Sequence, residues 1–210
     1  LSLHDALPIW FETNRLSFTT RYTVSDSLRL GASGFVQRMR FEHDSDWPAD
    51  MNSADRSVRR EHGGTLFAEA EAGRTSHRFE LGLYDINREL SQAGNNFATR
   101  YSFNWQAVTE LRPDLSLVYG LEATRETAGF GGVEAADSSD GRALWGQALW
   151  SPAEGLDLTL GLRRDHHSRY GGHTTGRLAF AFAASEALTL RGMTASGFLS
   201  PSLYQLYGDA

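Results

Sequence analysis

The sequence has no cysteine, only five prolines, no excess of positive charge and no long apolar run. Without thiols, structural disulfides, thiol catalysis and Cys-based zinc sites are excluded. No apolar stretch approaches the roughly 20 residues a membrane-spanning helix needs, so helices do not carry this chain across a bilayer. A net charge of −6 and the lack of any basic stripe speak against a nucleic-acid partner. What is present points elsewhere. Glycine is frequent (21 residues), aromatic residues reach 11%, and 40% of the chain is hydrophobic. That balance suits a twisted, aromatic-rich sheet rather than a helical domain or a disordered chain.

Period-two alternation recurs along the chain, as half-buried strands require. Tyr101, Phe103, Trp105 and Ala107 share one face, with Arg100, Ser102, Asn104, Gln106 and Glu110 on the other and Val108 the exception. Leu156, Leu158, Leu160 and Leu162 alternate with Asp157, Thr159, Gly161 and Arg163. Leu115, Leu117, Tyr119 and Leu121, and then Leu178, Phe180 and Phe182, form further apolar rows. Ten strands are expected, at 11–24, 28–43, 59–73, 77–90, 97–110, 115–127, 141–151, 156–169, 174–184 and 188–198. Most are longer than the ~5–6 residues usual in globular sheets.

The connections alternate in length. Tight turns at 25–27, 74–76, 112–114, 152–155 and 185–187 are interleaved with longer polar loops at 44–58, 91–96, 128–140 and 170–173 and a segment from Leu199. Short turns at one end and long loops at the other are the pattern of an all-β, antiparallel, up-and-down transmembrane β-barrel. A β-sandwich uses shorter strands without this segregation, and no blade repeat indicates a propeller. Unpaired charge facing hydrocarbon costs on the order of 2–4 kcal/mol at the midplane. The Leu and aromatic rows should therefore face lipid, and the Arg, Glu, Asn and Gln rows a wet or plugged interior. Trp105, Trp145, Trp150, Tyr22, Tyr84 and Tyr119 are candidates for interfacial aromatic girdles.

Near the C-terminal end, Gly197-Phe198-Leu199-Ser200-Pro201-Ser202-Leu203-Tyr204-Gln205-Leu206-Tyr207-Gly208 ends a strand and begins a Leu/Tyr-rich stretch. Pro201 has no N–H for the ladder, and its fixed φ suits the start of a helical turn. Leu203, Leu206 and Tyr207 are spaced three to four apart and can pack onto a wall. Phe198, Pro201, Leu203, Tyr204, Gln205, Leu206 and Tyr207 together resemble a segment of TonB-dependent outer-membrane receptors. Leu199-Ser200 departs from the basic-Ala pair usual there, and the Tyr-Gln-Leu-Tyr-Gly form is most similar to the cobalamin and siderophore branch. The resemblance implies a Gram-negative outer-membrane barrel of about 22 strands around an N-terminal plug. It also implies capture of a metal chelate by extracellular loops and plug rearrangement driven by the TonB-ExbB-ExbD complex, without covalent chemistry. The main alternative is a passive porin-like channel, and a more distant one a soluble β-rich binding protein.

Other candidates are read beside plainer roles. Asp44, Asp46, Asp50, Asn52 and Asp55 cluster in the first long loop, where flexible carboxylates can bind calcium or simply stay solvated. Glu134, Asp137 and Asp140 of a later loop could add to such a site. His166 and His167 point to opposite strand faces, which makes shared ligation of one metal difficult, and His173 is expected in the following loop. No Ser, His and Asp can be brought together as a catalytic set, and the glycine run 129–132 lacks a phosphate-loop Lys. No enzyme is expected. Residues 1–9, Leu1-Ser2-Leu3-His4-Asp5-Ala6-Leu7-Pro8-Ile9, resemble a translated sequencing adapter and are set apart from the fold. Residues 10–210 are then expected to be part of a barrel domain, with the plug and the last strands outside this chain.

Overall fold

A computed structural model describes residues 10–44, 54–90, 94–131 and 137–207. Ten strands follow one another: β1 (Phe11–Ser25), β2 (Leu28–Asp44), β3 (Ala54–Ala72), β4 (Thr75–Leu90), β5 (Gly94–Arg112), β6 (Leu115–Gly129), β7 (Asp137–Ala153), β8 (Leu156–His167), β9 (Gly171–Ser185) and β10 (Leu188–Ala195), with a short helix α1 (Leu203–Tyr207). Every strand pairs antiparallel with its sequence neighbour, in the order β1 to β10. Among the described residues β1 and β10 each have one partner strand, so the sheet is an open arc. The turn ends are built from two-residue turns, two of which use glycine in the left-handed region, Gly73 at φ 63° and Gly155 at φ 73°.

The register separates two faces. On one, Leu16 and Phe18 of β1 continue through Val36, Leu66, Leu81, Leu83, Tyr101 and Leu121 to Leu144, Leu160 and Leu178. These side chains are exposed, Leu16 to 72%, Leu160 to 62% and Tyr101 to 57%. Ala107, Ala128, Ala143 and Leu203 are the buried hydrophobic residues among those described, so no second sheet covers the apolar rows. Soluble monomers rarely expose contiguous apolar patches beyond a few hundred Å². The solvent of this face is lipid, and a sandwich core is excluded.

Most strands run further toward the loop end than the sequence pattern indicates, while β8 and β10 stop two to three residues short of it. β3 begins at Ala54 and β7 at Asp137, where both faces are polar and alternation gives no signal. β9 begins at Gly171, which places His173 in a strand instead of a loop, and β10 stops at Ala195. Two girdle expectations are corrected. Trp145 lies between Gly120 and Arg163 in register, and Tyr84 between Gly63 and Arg100, so both face inward. Apolar residues occupy both parities of β7 around Trp145, which leaves its face undecided until the register is known. The Trp145 ring lies over Gly120, where an added Cβ would come within 2.9 Å of it; Phe67 covers Gly31 in the same way at 2.1 Å.

Trp105, Tyr119, Trp150 and Tyr22 do face outward. Trp105 stacks on Phe79 (centroids 6.3 Å) and meets the edge of Tyr119 (5.7 Å). Its indole Nε1 donates to His77 Nδ1 at 3.4 Å, and that of Trp150 to Asp114 Oδ2 at 3.2 Å. Each ring thus has an apolar body toward lipid and a polar atom toward the turn-side interface.

The inward wall and the strap that crosses it

Charged side chains recur among the inward residues of β2 to β8, where they face water or protein rather than hydrocarbon. Arg29 Nη1 lies 3.4 Å from Glu69 Oε2. Arg78, the next strand's cation, is also paired with Glu69 and donates through Nε to Glu80 Oε1 at 2.9 Å. Its guanidinium lies over the Phe67 ring at 4.9 Å. A second cluster centres on Arg163. Nη1 and Nη2 donate to the two oxygens of Glu122 at 2.9 and 2.7 Å, a bidentate fork, while Nε donates to Asp165 Oδ1 at 3.0 Å. Arg100 pairs with Glu126 at 3.1 Å. The inward row Arg100, Ser102, Asn104, Gln106 is as the sequence indicates, and Val108 is accommodated because it faces Val118 in register.

Beyond β10 the chain leaves the sheet and crosses this inward face as a strap. Ser196 N donates to Gly176 O at 2.9 Å, the last ladder-like contact. Phe198 then stacks on the inward-facing His173 ring, centroids 3.6 Å apart and planes 10° from parallel. Pro201 precedes Ser202, which caps α1: Gln205 N donates to Ser202 Oγ at 3.2 Å and Ser202 N to Gln205 Oε1 at 2.9 Å. This reciprocal pair is a capping box, and its S-x-x-Q signature was open to view in the sequence. Leu203 is buried and α1 rests against β7, whereas Leu206 stays 39% exposed. Between the strap and the Arg163–Glu122 cluster lies a cavity of ≈ 400 Å³ lined by Arg100, Asp165, Phe198 and Leu199 as well. The family-motif residues are therefore brought onto the interior wall; the side chains of Tyr204 and Tyr207 lie outside the described residues.

The acidic loop is only partly within the described residues. In the backbone register Asp44 closes β2 opposite Ala54, and Asp55 lies opposite His43; Asp46, Asp50, Asn52 and Glu134 lie outside the described residues. Among the described residues no group of three or more His, Asp or Glu can hold a metal ion. His166 and His167 face opposite sides, the latter packing on Tyr170 at 4.9 Å. The Arg163 cluster had no sequence signal, since 41 positions separate Arg163 from Glu122.

A ten-stranded antiparallel arc, apolar outside and rich in ion pairs inside, with two-residue turns at one end and longer connections at the other, is part of a transmembrane β-barrel wall. Residues 4–210 match the family model described as TonB dependent receptor-like, beta-barrel, and the chain belongs to that family. These barrels are Gram-negative outer-membrane transport receptors, not enzymes. A vitamin B12 transporter BtuB of Vibrio vulnificus is 29% identical over 115 residues, 53% of this chain and 19% of the relative. The siderophore receptor PirA of Pseudomonas aeruginosa superposes with a TM-score of 0.82 at 18% identity, covering 92% of this chain and 35% of that one. A variant of the ferric enterobactin receptor PfeA of the same organism, in complex with enterobactin, gives 0.75 at 17% identity, over 97% and 36%. The chain thus spans about a fifth of the curated relative and about a third of the solved receptors.

Proposed function

We propose that this barrel segment belongs to a receptor that takes up a metal chelate, such as a cobalamin or a ferric siderophore, with energy supplied through TonB-ExbB-ExbD. The observation that carries the reading is the inward wall. It is lined by fixed ion pairs and crossed by the strap, so it offers a polar, shaped surface against which a plug can pack and move. An inert, open diffusion channel has no need of a strap seated on its lining. The likeness to a vitamin B12 transporter and to siderophore receptors supports the ligand class.

The test is uptake in a strain lacking its own chelate receptors and carrying the intact gene. Radiolabelled cobalamin and ferric enterobactin should enter only while the proton gradient is maintained and TonB is present. Uptake that persists after uncoupling would favour the passive channel. The acidic stretch Asp44, Asp46, Asp50 and Asp55 enters the proposal as a calcium-ordered cap on the first long loop. A loss of chelate affinity on calcium removal supports that part; unchanged affinity returns the stretch to a solvated loop.

A further inference from the structure

The outward face carries an apolar furrow that leads to two unpaired guanidinium groups. Two neighbouring rows run side by side across the strands. One is Phe18, Gly34, Gly64, Leu83, Tyr101 and Arg125; the other is Ala32, Leu66, Leu81, Phe103, Ala123 and Arg142. A concavity of ≈ 970 Å³ follows them, lined by both rows. Gly64 leaves part of its floor without a side chain, the Phe18 ring lies over Gly34, and leucines and aromatic rings form its sides. From β1 to β7 the rows cross six strand spacings, about 29 Å at ~4.8 Å each, long enough for an extended acyl chain.

Strands in such barrels tilt by roughly 35–45°, so a row at right angles to them climbs through the bilayer. Phe18 is seven residues from the turn-side end of β1, whereas Arg142 is eleven from that of β7. The furrow therefore rises from the membrane interior to the loop-side interface, where Tyr101 sits beside Arg125 in register. Arg125 and Arg142 are exposed, and among the described residues neither has a hydrogen bond or ion pair. His62 also lines the furrow, and so does Asp140, opposite Arg125 in register but without an ion pair to it. All the basic Lys/Arg positions of this chain are arginine, the side chain whose planar fork matches phosphate oxygens.

We propose that this furrow is a binding site for a lipid with a phosphorylated headgroup, its acyl chain along the Leu66–Phe103 row and its phosphate between Arg125 and Arg142. The inference is independent of the chelate carried, because it concerns the opposite face of the wall.

The intact receptor, purified in non-ionic detergent, is titrated with diphosphoryl lipid A and with the same lipid dephosphorylated, and bound lipid is counted by native mass spectrometry. The double variant R125Q/R142Q should bind the diphosphoryl lipid roughly 30-fold more weakly than the unsubstituted receptor, as expected for two interfacial cations. The dephosphorylated lipid should bind both proteins equally and weakly. Ala123→Trp, which fills the furrow and keeps both arginines, should also reduce binding. Equal affinity of R125Q/R142Q and the unsubstituted receptor for the diphosphoryl lipid, or no preference for phosphate, overturns the proposal. Heat-dependent electrophoretic mobility reports barrel folding; should the double variant not fold, R142Q alone, with roughly a fivefold loss expected, decides the question.

Discussion

On β8, Leu158, Leu160 and Leu162 face outward while Thr159, Arg163 and Asp165 face inward, so one backbone serves two solvents. Outside, the apolar band needs no specific partner, only that no charge meet hydrocarbon. Polar pairs such as Trp105–His77, Trp150–Asp114 and His62–Asp85 lie beside or beyond the leucine rows. Inside, charges are frequent but engaged, as in the Arg163 fork with Glu122 and the Arg78 pairs with Glu69 and Glu80. The outer face is therefore specified by what it excludes, and the inner face by which partners it joins. A substitution should be costly outside according to depth, and inside according to whether a partner is left alone.

The contrast predicts a ranking in the intact receptor. Leu160→Arg places a cation in the middle of the apolar band and should destabilise the barrel by ~2–4 kcal/mol, read from urea unfolding in lipid vesicles. An inward Asn104→Arg on β5 should cost far less in the same measurement; equal costs would erase the distinction between the faces. Next comes Glu122→Gln, which replaces a charged fork with a neutral acceptor and should cost about 1 kcal/mol, since the pair is partly solvated. Arg163→Ala together with Glu122→Gln should cost less than the sum of the two, because they share one interaction.

Ser202→Ala removes the capping box and should weaken α1 by about 1 kcal/mol. Faster hydrogen exchange confined to residues 203–207 would check it, while exchange in β7 stays unchanged. Smallest is Arg112→Ala, which breaks an exposed pair with Asp114 at 3.2 Å. It should change stability by less than about 0.5 kcal/mol.

Legibility in the sequence follows the same division. Alternating rows such as Leu156 to Leu162 revealed the outer face, because lipid demands apolar residues at every second position. Short polar turns, one with Pro113-Asp114 and one ending in Gly155, marked where the strands reverse. The loop-side extensions of β3 and β7 escaped because residues on both of their faces are polar. Trp145 and Tyr84 misled because an aromatic ring is welcome on either side, lying over a glycine as readily as at an interface. The motif around Pro201 disclosed the family and the start of a helical turn, but not that the strap would lie across the interior. That position involves the Phe198–His173 stack, a contact between the strap and β9 with no local signature.

The rows that cross the sheet have a mechanical consequence. Because the hydrogen-bond direction is oblique to the membrane, Phe18 in the depth of β1 is coupled rung by rung to Arg125 near the loop end of β6. Stiffness in such a wall is greatest along two crossing diagonals, the strands and the rows. A push delivered at one depth on one side is therefore handed on at another depth several strands away, as a screw thread turns rotation into travel.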